Sequence, residues 1–429
     1  MTVVHMPYDT GDLIVELPDD AVIADPPITA AVEDARLAVR AALEQPIESA
    51  RLREIARDKQ SATIVINDVT RPCPTQLLVE ELLVDLADAG LTDDQISLLV
   101  ATGNHRPNSA EELCEMLGAE LVARLRVVNH DGTDPDQLVL LGQTPGGVPL
   151  EVNRLVVDTD LTILTGIVTP HQTAGFSGGR KSIMPGVASE FALRTHHSPP
   201  IRSLEPVMGV MENNVFHAES LAAARMVGVD FIINVVKNQQ GGIVAVVAGD
   251  LDAAHRAGVA ICDAAWRVQL RERADISIVS PGGYPKDIDL HQAQKAVSAA
   301  EQITRRGGPI ILVAKCRVGT SSFASALIRA ESPQAMVDEF LQEGFRGNEH
   351  TSKAYMYARA LLKHPLIVVT DQLEPDLLAQ MFMHWAPNVE QALAMARDMV
   401  GPNPKIVAVP HAVDCLLSVG EPVPVSSNR

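Results

Sequence analysis

The densest set of chemically capable residues in this sequence runs from Thr169 to Gly186, TPHQTAGFSGGRKSIMPG. An imidazole (His171), a guanidinium (Arg180) and a primary amine (Lys181) stand there among Gly175, Gly178, Gly179 and Gly186. Glycines let a backbone take positive φ angles or approach a bound group closely. A purely structural loop has no use for three basic side chains beside them, so the run reads as a cofactor site. The phosphate-loop pattern G-x-x-x-x-G-K-[ST] is not met: three residues separate Gly175 from Gly179, and Arg180, not glycine, precedes Lys181. Nucleoside-triphosphate hydrolysis is therefore disfavoured, although loop N–H groups still suit a single phosphate. Lysine desolvated among glycine and apolar residues is easily neutralised, which fits Lys181 as a nucleophile or covalent anchor.

Four other clusters carry reactive types. In NDVTRP, Asp68 can accept hydrogen bonds and Arg71 can grip a phosphate or carboxylate in a bidentate fork; the plain alternative is a turn with a surface ion pair. In TGNHRP, His105 taken alone reads most simply as a structural histidine, but it has the side chain best suited to proton transfer near neutral pH. In RTHHSP, the adjacent His196 and His197 diverge, so one metal ligand and one bystander are expected. The chain contains no H-E-x-x-H, which disfavours metalloprotease chemistry. In DLHQAQK, Asp289 reads as a helix N-cap, with Lys295 sharing a face with His291 and Gln292. That helix start and Lys295 both favour a substrate carboxylate, and a solvated polar face is the alternative.

The elements that must position these clusters are β-branched runs alternating with helical patterns: Ala62–Asn67, Ile96–Thr102, Leu161–Gly166, Phe231–Val235, Ile276–Ser280, Ile310–Val313, Leu366–Thr370 and Lys405–Val409. The alternation predicts an α/β protein with mostly parallel sheets. NDVTRP, TGNHRP, TGIVTPH and SPGGYPKD each follow one of these runs, and ligands of open α/β sheets bind beyond strand C-termini, so the four loops are expected to wall one site. At 429 residues two domains are expected. An N-terminal cofactor-binding and catalytic domain is assigned to 1–271, with 404–429 a candidate to complete it through KIVAVP. A C-terminal α/β domain, 272–403, contributes substrate-binding residues. The boundary falls near Arg271–Ala274, after a helix-like stretch from Ala254 to Arg271; Ser198–Asn214 reads as a long connection, and the tail VPVSSNR as disordered.

Composition narrows the function. A net charge of −19 and 3% aromatic residues argue against nucleic-acid and anionic-membrane partners. Five scattered cysteines, with no C-x-x-C pair, fit a reducing cytoplasm. No long apolar run or secretory leader is evident, and nothing in the sequence reports the oligomeric state.

In order and spacing the motifs resemble the nickel-dependent lactate racemase family, whose members racemise or epimerise 2-hydroxy acids. DVTRP, TGNHRP, PHQTAGFSGGRKSIMPG, the HHSP segment and YPKDIDLHQAQK carry the resemblance. It implies two α/β domains with the active site in the cleft between them. It also implies a nickel-pincer nucleotide, Ni(II)-pyridinium-3,5-bisthiocarboxylate mononucleotide, covalently attached to Lys181 and ligated by His197. Asp68, Val69, Thr70 and Arg71 would hold the nucleotide, and His105 and His171 would be the acid/base pair. Arg71, Gln292 and Lys295 would bind substrate, with His291 and Tyr355 lining the pocket. The implied chemistry is inversion at C2 by proton-coupled hydride transfer through a transient 2-oxo acid, and the implied partners are a small 2-hydroxy acid and cofactor-biosynthesis enzymes. Where lactate racemases tend to carry tyrosine before the glutamine this chain has His291, and Tyr355 stands for a tryptophan, which leaves room for a larger or more polar acid. The alternatives are a non-catalytic carrier of the same cofactor and a zinc hydrolase built on His105, His171 and His197.

Overall fold

The computed structural model of the protein describes residues 1–345 and 349–420. The chain divides into two units, Met1–Pro27 with Trp266–Arg429, and Ile28–Ala265. It begins in the first with a hairpin of β1 (Thr2–Tyr8) and β2 (Gly11–Leu17), then the short β3 (Val22–Ile23).

The second unit follows with β4 (Ala62–Asn67), β5 (Ile96–Ala101) and β6 (Arg126–Asn129). An antiparallel pair, β7 (Leu138–Gln143) and β8 (Pro149–Asn153), precedes β9 (Leu161–Val168). Two short strands, β10 (Pro170–His171) and β11 (Gly175–Phe176), come next, then β12 (Phe231–Lys237) and β13 (Ile243–Gly249). The main sheet has the order β13-β12-β9-β4-β5-β6, parallel except for β13 at one edge. It is packed on both faces: Ile64 and Ile66 of β4 enter one core with Leu78 and Leu82 of the helix Thr75–Asp88, while Val65 enters the other with Phe216 and Leu221 of the helix Val215–Val227. This is why its strands read as unbroken apolar runs. From β4 the chain adds β5 and β6 on one side and then β9 and β12 on the other, so the β4–β9 junction is the topological switch point.

Trp266 returns the chain to the first unit, which holds β14 (Arg267–Leu270), β15 (Ile276–Val279), β16 (Ile310–Val313), β17 (Leu366–Val369), β18 (His384–Ala386), β19 (Ile406–Val409) and β20 (Leu416–Val419). Its main sheet is parallel throughout, β18-β17-β16-β15-β19-β3. It too is buried on both faces, with Val279 and Val368 in one core and Ile278 and Ile367 in the other.

The α/β class and the parallel sheets are as expected, and each predicted run forms a strand to within two residues at either end. Three expectations of layout are corrected. KIVAVP does not return to the N-terminal domain: it is β19, between β15 and β3. Residues 1–27 belong with the C-terminal unit, not with 28–265. The helix expected to reach Arg271 ends at Trp266, and Arg267–Leu270 pairs with β20 instead. All three turn on pairing between strands distant in sequence, which local periodicity cannot report. The connection after His197 is long and irregular, as read, and the tail VPVSSNR lies outside the described residues. Among those residues no helix is long and apolar enough to cross a membrane.

Candidate active site

Three of the four polar loops leave adjacent strands β9, β4 and β5 at the switch point of the 28–265 unit. After β4 the chain makes a tight turn in which Asp68 Oδ1 accepts from Thr70 N at 3.1 Å and Thr70 Oγ1 at 2.6 Å. Asp68 is 3% exposed; Val69 is half-buried, and Thr70 and Arg71 are exposed. After β5, Gly103 N donates to Gly186 O, which ties the TGNHRP loop to the end of the glycine run. His105 Nδ1 lies 2.5 Å from Asp68 Oδ2. Burial alone would raise the Asp68 carboxyl, but hydrogen bonds from His105 and Thr70 and the charges of His105 and Arg71 outweigh it and hold the group below its ordinary value.

After β9 the chain turns through the β10–β11 hairpin, with His171 opposite Gly175. His171 Nδ1 accepts from Thr173 N at 3.2 Å and Ala174 N at 3.1 Å. The tight fit explains one glycine directly: a Cβ on Gly175, whose φ is +73°, would meet Val210 O at 2.3 Å. Arg180 proves to be the clamp of this loop. It is 0% exposed, and its guanidinium donates to the carbonyls of Ala174 and Phe176 at 2.9 Å, Gly178 at 3.1 Å and Ser177 at 3.3 Å, and lies 2.7 Å from His255 Nε2. Sequence reasoning gave Arg180 to the cofactor; the structure gives it to the backbone.

Behind the clamp, Lys181 lies in a turn of 3-10 helix, Gly179–Ser182, with Nζ 5.2 Å from the centre of the Phe216 ring. The same ring meets His197 edge-on at 4.9 Å, so Phe216 sits beside both. His197 caps the helix Glu190–His196, and its Nδ1 donates to Leu193 O at 3.0 Å, which puts the ring's lone pair on Nε2. His196 is fully buried, with Nε2 3.2 Å from Phe216 O.

Electrostatics drive this group toward neutrality. Burial, then the charges of Arg180 and Arg71, push the Lys181 ammonium well below the ordinary lysine value. Burial, then Lys181, Arg71, His197 and Arg180, push His171 well below its usual range. Burial, then His196, Lys181 and Arg202, do the same to His197. The Lys181 charge acts on both histidines, and that of Arg71 on His171 and Lys181.

In the other unit, Asp289 caps the helix Leu290–Ile303, accepting from Gln292 N at 2.7 Å. Lys295 Nζ donates to Gln292 Oε1 at 2.8 Å, so these two are a hydrogen-bonded pair. His291 is mostly buried, its ring tilted against Phe323 at 6.2 Å. Tyr355 packs in a small cluster with Phe340, stacked at 4.2 Å, and Met356. At 1% exposure it has no surface with which to line a pocket. The aromatic joined to the start of this helix is Tyr357, whose hydroxyl donates to Leu290 O at 2.7 Å and whose ring stacks on Phe323 at 5.2 Å.

The lactate racemase N-terminal and C-terminal domain families match residues 8–209 and 269–417. The lactate racemase of Lactiplantibacillus plantarum is 33% identical over 425 residues, 97% of this chain and 100% of its own length. The chain belongs to the lactate racemase family. The lactate racemase of Thermoanaerobacterium thermosaccharolyticum is also 33% identical, covering 97% of this chain and 99% of its own. The solved structure of the apoprotein from that organism matches with a TM-score of 0.88 at 32% identity, covering 97% of this chain and 100% of that one. Membership makes the chain one of a family of isomerases.

The residues present fit the cofactor that the family resemblance implies. Lys181 offers an amine held toward its nucleophilic form, His197 a neutral imidazole with its lone pair on Nε2, and Arg71 an exposed guanidinium for a phosphate or carboxylate. Among the described residues no group of three or more His, Cys, Asp or Glu side chains could hold a metal. A zinc hydrolase centre on His105, His171 and His197 is thus not formed, whereas one imidazole completing a ligand set from a bound group fits. Phe216, Leu193 and Arg180's clamping role escaped the sequence reading, because a core phenylalanine, a helix carbonyl and a buried arginine have no motif of their own.

Proposed function

We propose that the protein racemises or epimerises a 2-hydroxy acid of the lactate type. The observation that carries the reading is the gathering, in one unit, of two histidines with different hydrogen-bonding partners, a neutralised Lys181 and the Nε2-presenting His197. In this reading Lys181, presenting a free amine, would hold a nickel-pincer nucleotide in covalent linkage, His197 Nε2 would ligate its metal, and Asp68, Val69, Thr70 and Arg71 would hold the nucleotide. When bound, that group supplies hydride-accepting chemistry at C2. The chain's own residues do the rest. His105 and His171 handle the hydroxyl proton, one for each enantiomer, because a single base cannot serve both faces of a planar 2-oxo acid. Arg71 orients the carboxylate, and the family resemblance makes Gln292, Lys295 and His291 substrate-binding residues. A carrier role without catalysis is not favoured, since the full-length relatives carry an enzyme's name.

The test is co-production with the cofactor-biosynthesis enzymes, followed by intact-mass and metal analysis. Wild type is expected to show an adduct at Lys181 and bound nickel. His105→Ala and His171→Ala are expected to keep the adduct and lose interconversion. Loss of the adduct in both variants would make these histidines binding residues instead.

A further inference from the structure

Asp68 and the two histidines carry information about where protons sit, and this goes beyond a list of acid/base residues. An ionised carboxylate only accepts hydrogen bonds, so the 2.5 Å contact between Asp68 Oδ2 and His105 Nδ1 places a proton on Nδ1, and in the neutral ring the lone pair is then on Nε2. The carboxylate cannot swing away easily, because Oδ1 is held by two donors from Thr70 and the side chain is 3% exposed. His171 has the reverse setting. Its Nδ1 faces the backbone N–H groups of Thr173 and Ala174, which only donate, and the Thr173 hydroxyl at 3.2 Å, which can donate as well, so that nitrogen keeps its lone pair and the neutral ring carries its proton on Nε2. A second proton on His171 would displace both backbone donors.

We propose that Asp68 is the positioning residue of His105, and that the two histidines rest in opposite tautomers, His105 as a proton acceptor at Nε2 and His171 as a hydrogen-bond donor from Nε2–H. The proposal rests on the acid/base reading of these residues given above. When the substrate hydroxyl meets His105, the O–H bond breaks, an N–H bond forms at Nε2, and the electron pair stays on the oxygen. The imidazolium so formed is matched by Asp68, which remains ionised. His171 orients an oxygen from its Nε2–H, and takes the base role only after the Thr173 and Ala174 N–H groups turn away from Nδ1. The two enantiomers therefore meet differently prepared groups. The Haldane relation makes kcat/KM fall together in both directions of a racemisation, so the asymmetry is read in the tautomers themselves.

The experiment is 15N NMR of the cofactor-less protein labelled in histidine, with assignment by His105→Gln and His171→Gln. Expected are Nδ1–H at His105 and Nε2–H at His171. In Asp68→Asn the two Thr70 donors keep the amide oxygen, so the amide nitrogen must face His105 Nδ1. His105 is then expected to switch to Nε2–H, and the variant to lose about 100-fold or more in kcat per Lys181 adduct. Nδ1–H at His171 in the wild type, or an unchanged His105 tautomer in Asp68→Asn, overturns the proposal. The expected tautomers in a loaded protein that interconverts no 2-hydroxy acid would uphold the proton placement and sink the functional reading.

Discussion

Replacing Arg180 with methionine separates a clamp from a ligand-binding residue. Methionine fills most of the volume but offers no donor, so the carbonyls of Ala174 and Phe176 lose the partner that the guanidinium supplies at 2.9 Å, while Ser177 O keeps His255 and Gly178 O keeps Lys181 N. Hydrogen bonds from a charged group contribute about 1.5–3 kcal/mol each, and Arg180 makes four to carbonyls. Against these stands the cost of burying the charge. Burial lowers the guanidinium to about 9, a fall worth about 5 kcal/mol at roughly 1.36 kcal/mol per unit. The expected net loss is about 1–7 kcal/mol, with its middle at about 4. In a two-domain chain of this size that is a fall of about 10 °C in the melting of the Ile28–Ala265 unit. Urea and thermal denaturation of the cofactor-less protein measure it, with loading of Lys181 followed in parallel. Arg180→Met with wild-type stability but no loading would refute the clamp and return Arg180 to the bound group.

Lys181 is expected to react with an amine-acylating reagent near pH 7–8 ahead of the other lysines, because burial and the charges of Arg180 and Arg71 lower its ammonium; peptide mapping against pH checks this, and equal labelling of all lysines would contradict it. Stability should fall as the medium is acidified below about 6.5. His171, His196, His197, His217 and His255 are lowered in the folded state first by burial, His196 to about 3 and His217 to about 4. The unfolded chain therefore binds protons that the folded one does not, and each histidine steepens the loss by up to about 1.4 kcal/mol per pH unit until its folded value is reached. Flat stability from pH 6.5 to 4.5 would contradict that burial. Gly175→Ala should destabilise the β10–β11 hairpin and abolish activity through His171, whereas Gly11→Ala, which meets nothing within 4 Å, should do neither. Equal activity in the two variants would count against the tight fit at Gly175.

The sequence reveals the strands and the site loops for a definite reason. Strands buried on both faces read as apolar runs, and a polar loop beyond each such run stands out by contrast. His105, His171, Lys181 and His197 stand out as candidates because imidazole and amine side chains recur in the polar runs between apolar ones. What stayed hidden depends on contacts across the chain. Nothing in GGRKS says that Arg180 turns back onto carbonyls while Lys181 does not. KIVAVP carries no sign that it pairs with β15 and β3, and Tyr355 and Tyr357, two residues apart, are told apart only by what each ring stacks on. The Asp68–His105 contact joins residues 37 apart from neighbouring strand ends, which spacing alone does not disclose.

The central claim is met most directly by giving the cofactor-loaded protein one pure enantiomer of a 2-hydroxy acid and resolving the product by chiral chromatography, across lactate, malate, phenyllactate and aldonic acids. The account predicts that at least one of them is carried to a mixture of both configurations at C2, and that Lys181→Ala leaves it unchanged. A protein bearing the Lys181 adduct and nickel that interconverts none of them would contradict it.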